Sequence, residues 1–189
     1  MRFKTSAVAT VLAITLVLAE MAFAQAATTN TKSPREVALE ALSVLKSAMD
    51  GGAGYGKFTK YYLHAKTEVD ALPDGPENQD IRRVSTVYSD ASSLWGSWSS
   101  GYLSPVEVSR LKVAYKDEGV TSLNQLPDTG FGAVWMWTGT ETLTHTWGET
   151  ALWSAVIRER RAVQTGRYFA RRAAFELIAL AGRGLGRLK

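Results

Sequence analysis

Two stretches of the chain place their apolar residues at helical spacing, and a short polar break separates them. The apolar positions of the first stretch are Phe58, Tyr61, Tyr62, Ala65, Val69 and Leu72. Those of the second stretch, which step alternately by three and four, are Ile81, Val84, Tyr88, Ala91, Trp95 and Trp98. The Pro-Asp-Gly-Pro sequence at 73–76 ends the first pattern. Helices of similar length joined by a short turn favour an antiparallel helical hairpin over residues 57–98.

Capping signals predict two further helices, and the end of the chain is predicted to form another. Ser33 and Pro34 open the first, which Gly51 and Gly52 end. Its predicted apolar surface consists of Val37, Leu42, Val44, Leu45 and Met49. Ser104 and Pro105 open a shorter helix that Gly119 ends, and residues 120–132 are predicted to form a loop. The last helix runs over residues 149–181, with a break near Gly166.

Residues 133–147 follow a different pattern from the rest of the chain. Thr142, Thr144 and Thr146 alternate with larger residues, and Gly139 lies between two short runs. This pattern favours a short β-hairpin, although a helix fits nearly as well because the alternation is brief. The expected fold is mainly α, a single domain forming a helical bundle around the 57–98 hairpin.

The first 24 residues have the layout of a cleaved signal peptide. Arg2 and Lys4 are followed by an apolar run at 7–19 and by small residues at Ala22 and Ala24. Glu20 interrupts the run before it is long enough to span a membrane. We therefore expect export to the bacterial periplasm or beyond, with no transmembrane helix after cleavage. Residues 25–32 would form a disordered leader, 33–182 the helical domain and 183–189 a flexible basic tail.

Two short motifs resemble known functional signatures but lack the required context. Residues 51–58 nearly match the phosphate-binding P-loop, yet Phe58 replaces the hydroxyl that would hold Mg²⁺, and a helix precedes the motif. We interpret residues 51–58 as a connection between helices. Residues 126–130, Leu-Pro-Asp-Thr-Gly, match a cell-wall sorting signal, but no apolar segment able to span a membrane follows. They are expected to form a turn.

The sequence offers little support for catalysis or metal binding. The chain has no cysteine and two histidines, His64 and His145, each four residues before a glutamate, which is one turn where the segment is helical. A metal site needs three or four ligands, so we predict neither a metal nor any other cofactor, and no catalytic residues. A non-enzymatic binding or interaction protein is the favoured interpretation. The alternatives are an envelope hydrolase or transferase whose site is assembled from scattered residues, and a protein that associates with a membrane surface through its basic C-terminal helix.

Two groups of residues are candidates for binding a partner. Trp135, Trp137 and Trp147 lie in a Gly- and Thr-rich region and would form an aromatic surface. Residues 158–189 carry a net charge of +7, with nine Lys and Arg against two Glu. On a helical wheel, one side of this segment collects Arg160, Arg161, Arg167, Arg171 and Arg172. The expected partners are an envelope protein, a glycan or an anionic lipid surface, and nucleic acid is excluded by the compartment.

A family resemblance covers residues 34–98. Tyr62, Lys66 and Val69, then the proline break, then Tyr88, Ala91 and Trp95 resemble a pattern in small exported bacterial helical proteins that are uncharacterised. The resemblance implies a helical hairpin in an envelope protein, and it implies no activity, cofactor or catalytic residue.

Overall fold

A computed structural model describes residues 32–132 and 149–188, with the backbone alone for 149–159. The chain divides into two compact units, Met1–Ser33 and Pro34–Lys189, and the elements below belong to the second. The predicted signal peptide, nearly all of the leader and the 133–147 segment lie outside the described residues.

The described residues form a mainly α helical bundle, which confirms the predicted fold class. The α-helices are α1 (Pro34–Asp50), α2 (Tyr55–Asp70), α3 (Gln79–Ser100), α4 (Pro105–Ala114) and α5 (Glu149–Gly186). Two short 3₁₀ helices, Pro76–Asn78 and Thr121–Gln125, lie in the connections. Leu103 and Phe131 pair through an isolated antiparallel β-bridge.

The predicted hairpin is present, and its two apolar stripes form the centre of the core. Phe58, near the start of α2, lies 5.4 Å from Trp95, near the end of α3, between ring centroids. This contact shows that α2 and α3 run antiparallel. The predicted positions are buried except for Tyr61 and Trp98, which are half-buried and pack against the core. The most extensive partner of α3 is, however, α5 rather than α2.

Helix α1 buries the predicted Leu42 and Leu45 and packs Met49 against the core, but its buried face differs from the predicted one at Val44. Ala38, Ala41, Leu42 and Leu45 are buried, whereas Val44 is 44% exposed. The buried four are spaced three and four apart, so they form one stripe. Two of them are alanines, whose small side chains let α1 approach its neighbours closely, and this explains why a face chosen by hydrophobicity alone was wrong at Val44.

Helix α5 is longer and more continuous than its glycines predict. It passes without a break through Gly166, where a Cβ would lie 2.5 Å from Phe131 Cδ1. Glycine is therefore required there by the aromatic ring packed on the helix. The segment predicted as a flexible tail is helical as far as Gly186, and Leu185 is buried.

Local hydrogen bonds explain the connection between α3 and α5. Ser104 Oγ accepts from the Glu107 backbone N–H at 3.2 Å, as its capping motif predicts. The helix that it caps ends at Ala114 rather than at Gly119. The sorting-signal look-alike is the expected turn: the Gly130 N–H donates to the Pro127 carbonyl at 2.9 Å, and Lys112 binds the Leu126 carbonyl at 2.7 Å.

One core side chain leads to a stability prediction. Tyr88 is fully buried, and its hydroxyl finds no hydrogen-bond partner among the described residues. Burial, followed by the nearby charge of Asp50, raises the pKa of this phenol above its ordinary value. Because an unpaired buried hydroxyl is costly, we expect Tyr88→Phe to leave the free energy of unfolding unchanged or to raise it by about 1 kcal/mol. Urea denaturation followed by circular dichroism measures this. A loss above about 1 kcal/mol would show that the hydroxyl is hydrogen-bonded in solution.

Candidate functional site

The five arginines predicted from the sequence lie on one side of α5, and we call them the arginine surface. Arg160, Arg161, Arg171 and Arg172 are exposed, and Arg167 is half-buried. At about 100° and 1.5 Å per residue, these positions cover an arc of roughly 140° and a length of about 18 Å. The opposite side of the same helix is buried against the core through Ala170, Ala173, Ala174, Leu177 and Ala181.

Little of the positive charge on this surface is neutralised within the described structure. The one described carboxylate within 4.0 Å of an arginine of the surface is Glu176, whose Oε1 lies 3.6 Å from Arg172 Nε. Glu176 is also engaged elsewhere, because it accepts from Ser122 N at 3.0 Å and from Ser122 Oγ at 2.6 Å. It therefore holds the 3₁₀ helix at Thr121–Gln125 against α5 and leaves most of the arginine charge unpaired.

The backbone carbonyl of Trp98 holds the Arg167 side chain in place. Arg167 Nε donates to the Trp98 carbonyl at 2.7 Å. This carbonyl lies in the last turn of α3, where carbonyls lack an intrahelical partner and the helix dipole is negative. The last turn of α3 contains no basic residue of its own, so α5 supplies the compensating cation.

Trp98 fixes Arg171 through its ring. The guanidinium carbon of Arg171 lies 4.9 Å from the centroid of the Trp98 ring and 5.8 Å from that of Phe175. A cation–π contact holds a guanidinium without using its N–H donors in conventional hydrogen bonds. Arg171 is therefore held in place without a carboxylate partner among the described residues, and its donors remain available to an anion.

Exposed aromatic side chains lie among and beside these arginines. Tyr168 is 59% exposed and Phe175 is 40% exposed, and both are on the arginine side of α5. Tyr102 is 48% exposed and follows Gly101, the residue that caps α3 and faces the Arg167 side chain. The surface is thus basic and aromatic together, rather than a purely charged helix face.

Sequence reasoning missed the role of Trp98. Its stripe position indicated a core residue, and the structure places it at the edge of the core, in contact with both Arg167 and Arg171. The one available signal was the lack of a basic residue in the last turn of α3. The other candidates, Trp135, Trp137 and Trp147, lie outside the described residues, as does His145.

The remaining histidine and the glycine-rich loop form no recognisable site. His64 Nδ1 lies 3.7 Å from Glu68 Oε1, and the His64 side chain is 61% exposed. No group of three or more potential metal ligands occurs among the described residues. Residues 51–57 line a shallow depression of about 590 Å³ with Ala48 and Tyr61. As predicted, residues 51–54 connect two helices, α1 and α2.

One cluster of ionisable groups is internal and links α3 to α4. The Asp90 carboxylate, 5% exposed as a residue, accepts from Arg110 Nη2 at 2.6 Å and from the Tyr115 hydroxyl at 2.6 Å. Arg110 also donates to Glu107, and this hydrogen bond holds the pKa of Glu107 below its ordinary value. Burial, then the hydrogen bond to Asp90, raises the pKa of Tyr115. Because these groups satisfy one another, we interpret the cluster as structural.

Comparison with known proteins found no match: no protein-family model, curated protein or solved structure is similar to this chain. The resemblance of residues 34–98 to exported bacterial proteins therefore stays a prediction. Among the described residues, no helix combines the length and apolar character needed to cross a membrane.

Proposed function

We propose that this protein is a non-enzymatic binding protein of the bacterial envelope that engages an anionic partner through the arginine surface. The observation that supports this most is the lack of internal neutralisation. Of the five arginines, Arg172 alone lies near a described carboxylate, at 3.6 Å. Ion pairing within the fold would have argued for a structural role, and it is not found for the other four among the described residues.

The chemistry of the surface fits phosphate and carboxylate groups. A guanidinium is charged at any physiological pH and presents donors that match the paired oxygens of such groups. Several cations on one helix face also act together at distances up to a Debye length, about 8–10 Å in ordinary buffers. The partner would therefore carry several negative charges and would be released by salt. The signal-peptide pattern at residues 1–24 supports a partner in the envelope.

The alternative enzymatic interpretation gains no support from the described residues. His64 is near a carboxylate, Glu68, but lies on an exposed helix face, and no described hydroxyl joins the pair. The oxygens of Asp90 are occupied by Arg110 and Tyr115. An aromatic surface at Trp135, Trp137 and Trp147 stays a prediction from the sequence.

A charge-reversal pair tests the proposal. We expect Arg160→Glu with Arg161→Glu to weaken binding of the purified protein to polyphosphate by at least tenfold at low salt. The matched control is Lys57→Glu with Lys60→Glu, two exposed cations on α2 that give the same change in net charge. Fluorescence anisotropy of labelled polyphosphate, read at low and high salt, measures both variants. Equal losses in the two variants, or none in either, would overturn the proposal, because binding would then not depend on this surface.

A further inference from the structure

We infer that the anionic partner is a phospholipid surface, on which α5 lies with its arginines at the phosphates and its aromatic side chains in the apolar boundary. The inference rests on the proposed function and specifies its partner. The inference rests mainly on the aromatic residues beside the arginines, because binding by charge attraction alone would not require them.

The exposed aromatics share the helix side of the arginines. Tyr168 and Phe175 are one heptad apart, and Arg171 and Arg172 lie between them. Tyr168 is 59% exposed, the largest exposed fraction among the described aromatic residues. In a helix that binds in the plane of a membrane, basic residues on the polar face reach anionic headgroups, and aromatic residues on the apolar face enter the acyl boundary. The apolar face of α5 is buried in the core, so the aromatic rings available for insertion are the exposed ones among the arginines. The spacing here places both types along about 22 Å of helix, from Arg160 to Phe175.

The ring contacts favour lipid over sugar. Stacking on a sugar requires an open ring face, and both exposed rings among the arginines already have a neighbouring ring. Phe175 contacts Trp95 at 4.8 Å between centroids and is approached by Arg171. Tyr168 meets Phe169 edge to face, with centroids 5.2 Å apart and an interplanar angle of 77°. An apolar boundary accepts ring edges and side-chain tips in any orientation, so it needs no free face.

Positioning of the arginines strengthens the case. Long cationic side chains usually lose rotamer freedom on binding, and that loss weakens affinity. Arg167 is fixed in advance by its bond to the Trp98 carbonyl, and Arg171 by the Trp98 ring. Each holds its position without a described carboxylate, so a phosphate would meet cations that are ordered and not neutralised. A row of headgroups presents phosphates over the whole length of the surface.

The electrostatic part of the inference is tested with vesicles of stated composition. We expect the protein to sediment with vesicles of equal phosphatidylglycerol and phosphatidylcholine, and not with phosphatidylcholine alone. Each basic residue near an anionic membrane contributes roughly a fivefold gain in affinity. Arg160→Ser with Arg161→Ser should therefore weaken vesicle binding about 25-fold. The control, Lys57→Ser with Lys60→Ser, should weaken it less than threefold. Binding to polyphosphate with no binding to the anionic vesicles would overturn this inference and leave the proposed function standing.

The aromatic part is tested by an exposed side chain that can be removed without harming the core. We expect Tyr168→Ser to weaken vesicle binding about fivefold, by the same factor at low and high salt, because apolar insertion is not screened. Leu63→Ser is the matched control, since Leu63 on α2 is 55% exposed against 59% for Tyr168. Circular dichroism confirms that each variant is folded. Unchanged vesicle binding by Tyr168→Ser would show attraction by charge alone and would overturn the inserted arrangement.

Discussion

Replacing Phe58 by alanine should lower the free energy of unfolding by about 4 kcal/mol. Phe58 is fully buried, and its ring lies 5.4 Å from Trp95, 6.1 Å from Tyr62 and 6.5 Å from Tyr88 between centroids. Alanine would remove the ring and leave a cavity where α2 meets α3. Total stabilities of domains are about 5–15 kcal/mol, so this single loss would be a large fraction of the whole.

Urea denaturation followed by far-ultraviolet circular dichroism measures this effect. Phe58→Leu is the control, because it keeps most of the volume and should cost less than about 1.5 kcal/mol. The near-ultraviolet signal of Trp95 should weaken in the alanine variant even when it is folded. A loss below about 1 kcal/mol for Phe58→Ala would mean that this aromatic cluster is not the centre of the core.

Replacing Arg110 by methionine should lower the free energy of unfolding by about 2–3 kcal/mol. The methionine keeps an apolar stem of similar length but leaves the buried Asp90 carboxylate with the Tyr115 hydroxyl as its one described partner. Breaking a fully buried ion pair costs more, about 3–5 kcal/mol. We expect less here because 46% of the Arg110 side chain is exposed and water can partly reach the site.

A second substitution separates a stranded charge from lost packing. Combining Arg110→Met with Asp90→Asn removes the uncompensated carboxylate, so the double variant should be more stable than Arg110→Met alone. Glu107→Gln, which affects the more exposed partner of Arg110, should cost less than about 1 kcal/mol. Chemical denaturation of the three variants at neutral pH distinguishes the stranded charge from lost packing as the cause of the destabilisation. If the double variant were the least stable, the stranded charge would not be the cause.

The parts of the fold that local patterns determine were predictable. Helices α2 and α3 follow from apolar stripes long enough to exclude other periods, and Ser104 caps α4 as its Ser-Pro-x-Glu sequence indicates. Where two helix faces differ little in hydrophobicity, tertiary packing decides. On α1 it selected Ala38 and Ala41 over Val44, since close approach of helices rewards small side chains.

Features that depend on distant residues could not be found in the sequence. Gly166 was expected to interrupt α5, and it is glycine because Phe131, 35 positions earlier, packs against it. Ser122 binds Glu176 across 54 positions of the chain, a still larger separation.

The candidate site also has one part that the sequence predicts and one part that depends on distant residues. The arginines of α5 could be placed on one face from their spacing, because a helix fixes the angle between residues. Their anchoring on Trp98 depends on where the end of α3 meets the middle of α5, and no local pattern contains that information.

The bridge between Leu103 and Phe131 has a consequence for the order of folding. Contacts between α3 and α5 join segments far apart in the chain, and the entropy of closing that loop opposes their formation. The backbones of Leu103 and Phe131 pair through two hydrogen bonds, with N–O distances of 2.8 and 3.0 Å. The residues between them therefore form a separate closed loop. The path from Ser100 to Glu149 is thereby shortened by more than half, which lowers the closure cost by about 0.6 kcal/mol or more. A Cβ at Gly130 or Gly132, both at positive φ, would collide with the backbone of Leu103 or Gly101. Substitutions at these glycines should therefore slow folding as well as lower stability.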